Sequence, residues 1–207
     1  MVSFTNGHPE VVDSIMLYIV GISVVFLVGI TFTMIYFVFK YHRKKNTEPE
    51  NIHGSILLES IWIIIPTLLA LSMFYFGWQG YQFGQEIPED AYSVDVVAKM
   101  WDWDFIYENG YNSDTLYVPL NNTIVLQMKS LDVTHSLFIP AFRIKQDVIF
   151  GKINQLVFKT EEIGKYDIAC AEYCGLNHSQ MYTKVVILSE NDFQNWLAKV
   201  GKDSEVL

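Results

Sequence analysis

Five side chains with sulfur or imidazole donors are grouped in a way that suits a transition metal. The only two cysteines, Cys170 and Cys174, are followed closely by His178 and Met181, and His135 is available from an earlier strand. Thiolate, thioether and imidazole ligands together suit copper, because soft sulfur favours the cuprous ion while imidazole keeps the cupric ion accessible. A site that is stable in both oxidation states can pass single electrons.

The second cysteine bears on how many copper ions such a site would hold. One Cys, two His and a weak axial Met suffice for a single-copper electron-transfer site. Cys174, with the two histidines and Met181, already provides that set, so Cys170 is a surplus ligand. Two thiolates on one short loop can bridge two copper ions. Each ion then takes one histidine, with Met181 and a backbone carbonyl of the loop as weaker ligands.

Three other interpretations of these residues remain open. Cys170 and Cys174 form a disulfide if the domain faces an oxidising compartment. In a second interpretation, His178 is an ordinary polar surface residue and binds no metal. Alternatively, the two cysteines and two histidines bind structural zinc in a tetrahedron. The disulfide leaves the histidines and Met181 unexplained, and zinc gives Met181 no role.

Two apolar segments predict a membrane hairpin before this site. No charged residue occurs from Ser14 to Phe39 or from Ser60 to Gln85, and about 20 apolar residues cross the hydrocarbon core as a helix. We predict helices at about 14–39 and 57–81, within a hairpin of residues 1–84. The first run is too long for a cleaved signal peptide and lacks a basic stretch before it. The basic loop Lys40–Lys45 predicts a cytoplasmic loop with both termini outside.

The remainder, residues 85–207, has the pattern of a small antiparallel β domain. Short alternating segments separated by turn residues predict a sandwich or barrel. Strands are predicted at 93–98, 123–129, 155–160, 165–169 and 182–188. Ser189, followed by Glu190 and Asp192, predicts a capped C-terminal helix that packs on the domain through Phe193 and Trp196.

Charge limits the partners of this domain. Beyond Gly80 the sequence has 18 acidic and 10 basic residues, a net charge of −8. This charge repels nucleic acid and suits a basic protein partner, although ordinary solubility explains the same acidity equally well.

The segment Cys170-Ala-Glu-Tyr-Cys174-Gly-Leu-Asn-His178-Ser-Gln-Met181 closely resembles the binuclear copper A loop of cytochrome c oxidase subunit II. The resemblance covers nearly the whole chain and implies an all-β cupredoxin-like domain anchored by the two-helix transmembrane hairpin. It implies copper ligation by the side chains of His135, Cys170, Cys174, His178 and Met181 and by the backbone carbonyl of Glu172. It also implies that the Glu172 carboxylate faces a magnesium ion held mainly by the catalytic subunit.

Three further segments resemble that family. In Trp101–Tyr107 the resemblance implies that electrons enter at Trp101, where cytochrome c docks, although alternation alone would explain a strand with one buried aromatic face. Glu59 matches a glutamate at the entrance of a proton path into the catalytic subunit. Lys145 and Asp147 match residues that pack against the catalytic subunit. Four acidic residues near Trp101 could steer a basic donor: Asp102, Asp104, Glu108 and Asp114.

The function that this resemblance implies is acceptance of electrons from cytochrome c and their transfer to haem in the catalytic subunit. That transfer supports oxygen reduction to water and proton pumping, with the oxygen-reducing site on another subunit. The expected partners are the catalytic subunit I, other oxidase subunits, a cytochrome c or cytochrome c domain, and membrane lipid. The expected location is the bacterial inner membrane, with the copper domain and both termini on the periplasmic side.

Two alternatives of a different class remain. One is the related quinol-oxidase subunit, which keeps the fold and has lost copper, although the retained cysteines and histidines argue against it. The other is a zinc- or disulfide-stabilised domain with no redox role. No Cys-x-x-Cys-His motif occurs, so we expect the haem donor to be a separate protein.

Overall fold

A computed structural model describes residues 9–45, 48, 53–83 and 87–204, and the side chains of 12–45, 48, 53–82 and 87–201. Within these ranges the chain has two long helices, ten strands and a final helix. Residues 12–80 form one compact unit, and the β domain belongs to a second.

The first unit contains most of helices α1 (Pro9–Lys40) and α2 (Ile56–Phe83). By length and composition both can cross a membrane, and the two predicted apolar helices are confirmed. They pack antiparallel through polar and aromatic contacts. The Tyr18 hydroxyl lies 2.7 Å from the Ser72 hydroxyl, and the Tyr18 ring meets the edge of Phe76 at a centroid distance of 5.5 Å.

The second unit is a sandwich of two five-stranded sheets, as the all-β prediction requires. The first sheet has the order β3-β2-β1-β5-β8 and the second β4-β10-β9-β6-β7. The strands are β1 Tyr92–Lys99, β2 Asp102–Ile106, β3 Asn112–Ser113, β4 Leu116–Pro119, β5 Thr123–Ser130, β6 His135–Ile139, β7 Ile144–Val148, β8 Asn154–Lys159, β9 Gly164–Cys170 and β10 Tyr182–Leu188. Most neighbours are antiparallel, but β1 with β5 and β4 with β10 are parallel pairs.

The core lies between the inner faces of the two sheets. Strand β2 alternates as its sequence predicts, with Trp103 and Phe105 buried and Asp102 exposed. Phe158 and Ile168 fill the same core from β8 and β9. Alternating burial of this kind holds a thin sandwich together, because each strand contributes every second side chain to the interior.

Helix α3 (Glu190–Ser204) closes one side of the sandwich. Its predicted cap is confirmed, since the Asp192 N–H donates to the Ser189 hydroxyl over 3.2 Å. Phe193 is fully buried, and Trp196 stacks on Tyr117 at a centroid distance of 4.5 Å. The helix therefore packs on the domain as predicted.

The five predicted strands correspond to β1, β5, β8, β9 and β10, whereas β3, β4, β6 and β7 are not delimited by the sequence pattern. In β6 four of the five residues are buried, including the polar His135 and Ser136, so both faces are buried and the polar–apolar alternation is lost. Strand β7 is a polar edge strand, Ile-Lys-Gln-Asp-Val. Neither pattern has the period-two signal on which sequence reasoning depends.

Candidate metal centre

Three strand ends bring the predicted ligands together at one end of the second sheet. His135 is the first residue of β6, Cys170 is the last of β9, and Met181 immediately precedes β10. Strands β6 and β9 are paired, with Leu137 opposite Cys170. The Cys170 N–H donates to the Met181 carbonyl over 3.1 Å and closes the base of the loop that carries Cys174.

Each thiol has its own imidazole. The Cys170 Sγ lies 4.0 Å from the His135 Nδ1, and the Cys174 Sγ lies 3.7 Å from the His178 Nδ1. The two sulfur atoms are 3.7 Å apart and both thiols are free. The structure therefore does not contain the disulfide that the sequence left open.

Each thiol also has one weaker donor nearby. The Met181 Sδ lies 3.8 Å from the Cys174 Sγ, and the Glu172 carbonyl oxygen lies 3.3 Å from the Cys170 Sγ. The structure thus brings all six predicted donor groups into one chain of close contacts. The Glu172 carboxyl group belongs to an exposed residue of the same loop.

Most of the cluster is shielded from water. His135 is fully buried, and Cys174 and Met181 are only 3% and 1% exposed. Burial raises the pKa of the Cys174 thiol to about 11, and hydrogen bonding and charge at Cys170 add to the rise. Two adjacent buried thiolates therefore need bound cations to compensate their charge, which is the usual coupling between thiolate ligation and metal binding.

Trp101 contacts the ligand loop directly. It lies in the tight turn between β1 and β2, where Lys99 pairs with Asp102. Its indole Nε1–H donates to the Cys174 carbonyl over 3.2 Å, and the ring is partly exposed. A Cβ on Gly175 would lie 3.3 Å from the indole, and Gly175 has a φ of +121°. Glycine thus permits both the loop conformation and the close approach of Trp101.

The acidic residues near Trp101 differ in ion pairing and in exposure to solvent. Asp104 forms an ion pair with Lys99 at 2.5 Å and accepts a hydrogen bond from Asn112. The hydrogen bond to Asp104 raises the pKa of Lys99. Asp102 and Glu108 are exposed. Pairing reduces what Asp104 can offer to a partner.

One residue that sequence reasoning missed is Asp132, in the turn between β5 and β6. Its Oδ1 lies 2.8 Å from the His135 Nε2, within hydrogen-bonding distance, and its Oδ2 accepts a hydrogen bond from the Met100 N–H at 2.6 Å. Partial burial opposes ionisation, but these bonds and one from the Val133 N–H lower the pKa of Asp132. The only sequence signal was an acidic residue three positions before a candidate ligand.

Two family models match this chain. "Cytochrome C oxidase subunit II, periplasmic domain" matches residues 72–189, more than half of the sequence, and "Cytochrome C oxidase subunit II, transmembrane domain" matches residues 4–77. This chain belongs to the cytochrome c oxidase subunit II family. It is accordingly a membrane protein and a subunit of a haem-copper oxidase, which works with other oxidase subunits.

Known proteins agree with this membership. Cytochrome c oxidase subunit 2 of Cereibacter sphaeroides is 28% identical over 225 residues, which cover 89% of this chain and 73% of that protein. The crystal structure of the periplasmic domain of subunit II (CoxB) of Bradyrhizobium japonicum is 26% identical, with a TM-score of 0.53. It covers 57% of this chain and 99% of that domain.

A second solved structure contains a relative in a different chemical state. It is a mixed disulfide intermediate between a thioredoxin-like protein, TlpAs, and subunit II of cytochrome c oxidase. That subunit II is 25% identical to this chain, with a TM-score of 0.51, and the match covers 57% of this chain and 96% of that one.

The remaining predicted residues are not among the six donor groups. Glu59 is exposed in the first turn of α2 and belongs to the helical unit. Lys145 and Asp147 pair at 2.7 Å on β7, an edge strand of the second sheet. The hydrogen bond from Lys145 holds the pKa of Asp147 below its usual range.

Proposed function

We propose that this subunit II receives electrons from a cytochrome c at a binuclear copper A centre and passes them to haem in the catalytic subunit. The centre would be held by His135, Cys170, the Glu172 carbonyl, Cys174, His178 and Met181. Reduction of oxygen to water and proton pumping would follow elsewhere in the complex.

The observation that carries this proposal is the division of the donors into two similar sets. Cys170 has His135 and the Glu172 carbonyl beside it, and Cys174 has His178 and Met181. Two copper ions held by the two thiolates would each have one imidazole and one weaker donor available in this set. Bound copper would supply one-electron oxidation and reduction, and the soft sulfur donors suit it.

A single zinc ion fits the same residues less well. The donor atoms of His135, Cys170 and Cys174 all lie within 4.8 Å of one another, but that group does not include His178. A tetrahedral zinc site with two Cys and two His would need all four donors around one point. Zinc would also leave Met181 and the Glu172 carbonyl without a function.

The protein's own contribution would be to keep these donors fixed. His135, Cys170 and Met181 lie at the ends of paired strands, and the short link between Cys170 and Met181 closes the loop. A rigid, dry site changes little in geometry between two oxidation states. Rapid electron exchange at a small driving force is the expected result.

Electrons would enter through Trp101. Its ring is partly exposed on one side, and its Nε1–H contacts the Cys174 carbonyl on the other. Met100 and Leu131 are exposed beside it, 46% and 58% respectively, and offer apolar surface to a docking partner. The domain's excess of acidic residues would attract a basic cytochrome c and make the rate sensitive to salt.

Contacts with the catalytic subunit would use three other places. The exposed Glu172 carboxylate would contribute to a magnesium ion, for which a hard oxygen ligand is suitable. The ion pair of Lys145 and Asp147 on the β7 edge would lie against the catalytic subunit, and Glu59 would stand at a proton-path entrance. The basic loop Lys40–Lys45 would lie in the cytoplasm of a bacterial inner membrane, leaving the β domain and both termini in the periplasm.

A thioredoxin-like protein is a further candidate partner, supported by the mixed disulfide seen in a relative. If Cys170 and Cys174 become oxidised to a disulfide, metal cannot bind. A partner thiolate would attack one sulfur, release the other cysteine as a thiol, and form a mixed disulfide. The partner's second thiol would then displace the remaining cysteine, leaving both thiols reduced and the partner oxidised.

The deciding experiment is copper analysis with electron paramagnetic resonance on the full-length chain, purified in detergent and loaded under reducing conditions. Two coppers per chain that share one unpaired electron support the proposal. Zinc retained in preference to copper, or properly folded protein that binds neither, would instead support a structural subunit without a redox role.

A further inference from the structure

We infer that Asp132 is a positioning residue that fixes two parts of the site at once, the His135 ring and the turn that carries Trp101. This inference rests on the proposed function, because it takes His135 as a ligand and Trp101 as the contact with the donor.

The first arm of Asp132 reaches the histidine. Its Oδ1 lies 2.8 Å from the His135 Nε2 and also accepts the Val133 N–H at 2.6 Å. The His135 ring is fully buried and meets the edge of Trp103 at a centroid distance of 6.1 Å. A carboxylate is acceptor-only, so the contact requires the proton to be on Nε2.

This tautomer determines which ring nitrogen of His135 would be available to a metal ion. With the proton on Nε2, the Nδ1 lone pair is free, and Nδ1 is the atom that lies 4.0 Å from the Cys170 Sγ. A ligating histidine commonly donates its other N–H to a carboxylate, which fixes both the tautomer and the ring orientation. Asp132 would therefore prepare the His135 ring before any metal binds.

The second arm reaches the opposite sheet. The Asp132 Oδ2 accepts the Met100 N–H at 2.6 Å, and Met100 immediately precedes Trp101. Next to it, the Leu131 N–H donates to the Ala98 carbonyl over 3.0 Å. Two neighbouring hydrogen bonds thus connect the turn between β5 and β6 to the end of β1 and to the turn that follows it.

The Asp132 carboxylate therefore connects Trp101, the proposed contact with the electron donor, to His135, a candidate metal ligand. The Trp101 turn belongs to the first sheet and His135 to the second. Asp132 keeps the two in register, so that the Trp101 indole stays against the Cys174 carbonyl while the His135 Nδ1 faces the Cys170 thiol. A surface carboxylate that acted only through its charge would need neither bond.

The test uses the metal-free full-length chain in detergent, with nitrogen-15 in its histidine rings. At a fixed pH near 8, we expect His135 to show a single tautomer with the proton on Nε2, because Nε2 lies 2.8 Å from the Asp132 Oδ1. In Asp132→Ala both tautomers should appear. The Met100 amide should also exchange with solvent at least about tenfold faster, because it loses a charge-assisted hydrogen bond.

Two further variants separate positioning from charge. Asp132→Asn removes the charge and keeps one acceptor oxygen. It should therefore keep one of the two hydrogen bonds, to the His135 ring or to the Met100 N–H, and lose the other. Asp167→Asn removes an equal charge from an exposed ion pair with Lys184, and it should change neither readout.

Each outcome decides the inference. A wild-type His135 protonated on Nδ1 overturns it without any variant, even if Asp132→Ala does not fold. A single Nε2 tautomer and a protected Met100 amide in Asp132→Ala overturn it as well. Because no metal is present, failure of the copper assignment leaves these readouts unchanged, and the two ideas can fail separately.

Discussion

The indole Nε1–H of Trp101 donates a hydrogen bond of 3.2 Å to the main-chain oxygen of Cys174. The two residues are far apart in the sequence and belong to different parts of the sandwich. Their contact joins a partly exposed aromatic ring to the backbone of a proposed copper ligand. The hydrogen bond is thus a direct link, among the described residues, between the surface and that ligand.

Removal of the indole should slow electron transfer without harming the metal site. We expect Trp101→Ala to reduce the rate of cytochrome c oxidation severalfold, and Trp101→Phe to reduce it less, because a ring remains but the N–H is lost. The check is stopped-flow oxidation of reduced cytochrome c by the copper-loaded chain, with the copper spectrum as a control. Trp196→Phe, in the aromatic cluster on α3, should leave the rate unchanged. An unaltered rate in Trp101→Ala would remove Trp101 from the path.

Gly175 should be intolerant of a side chain for two separable reasons. Its φ of +121° strains any L-residue, and a Cβ there would lie 3.3 Å from the Trp101 indole. Gly110 is a matched control, since its φ is +79° and its Cβ would meet nothing within 4 Å. Both alanine variants should lose about 1–2 kcal/mol of stability through backbone strain. Only Gly175→Ala should also slow electron transfer. Equal rates of cytochrome c oxidation in the two variants would contradict the role given to Gly175.

How far the sequence predicts this site depends on how local each part is. The loop ligands were visible because Cys170, Cys174, His178 and Met181 lie within one short segment whose spacing carries the chemistry. Asp132 was missed because its partner Met100 is distant in sequence and meets it only through strand register. The sequence pattern alone also favoured core packing for Trp101, since burial on a strand and contact with a loop give the same alternation.

Cys174 should be essential to a binuclear copper centre. Cys174→Ser removes the sulfur that contacts His178 and Met181, and the chain should lose the binuclear copper signal. Copper content and the resonance spectrum check this, with unfolding of the metal-free chain to show that the fold is kept. A shared-electron spectrum from two coppers in Cys174→Ser would refute the bridging role of this thiol.

Helix α3 should contribute stability, not chemistry. Phe193 is fully buried and meets Tyr92 and Trp196. Phe193→Ala should therefore cost about 3–5 kcal/mol, the usual range for a large buried aromatic residue. Chemical denaturation of the metal-free chain measures this cost, and Gln194→Ala on the exposed side of the helix is the control. A loss no larger than that of the control would mean that α3 is not part of the cooperative fold.

Stability should decline in alkali through Tyr92. Burial raises its pKa from 10.0 to about 12, and the charges of Glu108 and Glu190 add to the rise. The folded chain therefore holds the phenol proton after the unfolded chain has released it. The stabilisation is complete below pH 10.0 and is lost as the pH rises towards about 12.

A phenylalanine at this position isolates the effect. The Tyr92 hydroxyl has no hydrogen-bond partner among the described residues, so Tyr92→Phe should change the free energy of unfolding little at neutral pH. Above pH 10.0, where the phenol of the unfolded chain ionises, the variant should become progressively more stable than the wild type. Tyr182→Phe is the control, because Tyr182 is 65% exposed and folding removes little of its side chain from water. Parallel pH profiles for the wild type and Tyr92→Phe would show that the phenol is solvated in the folded chain.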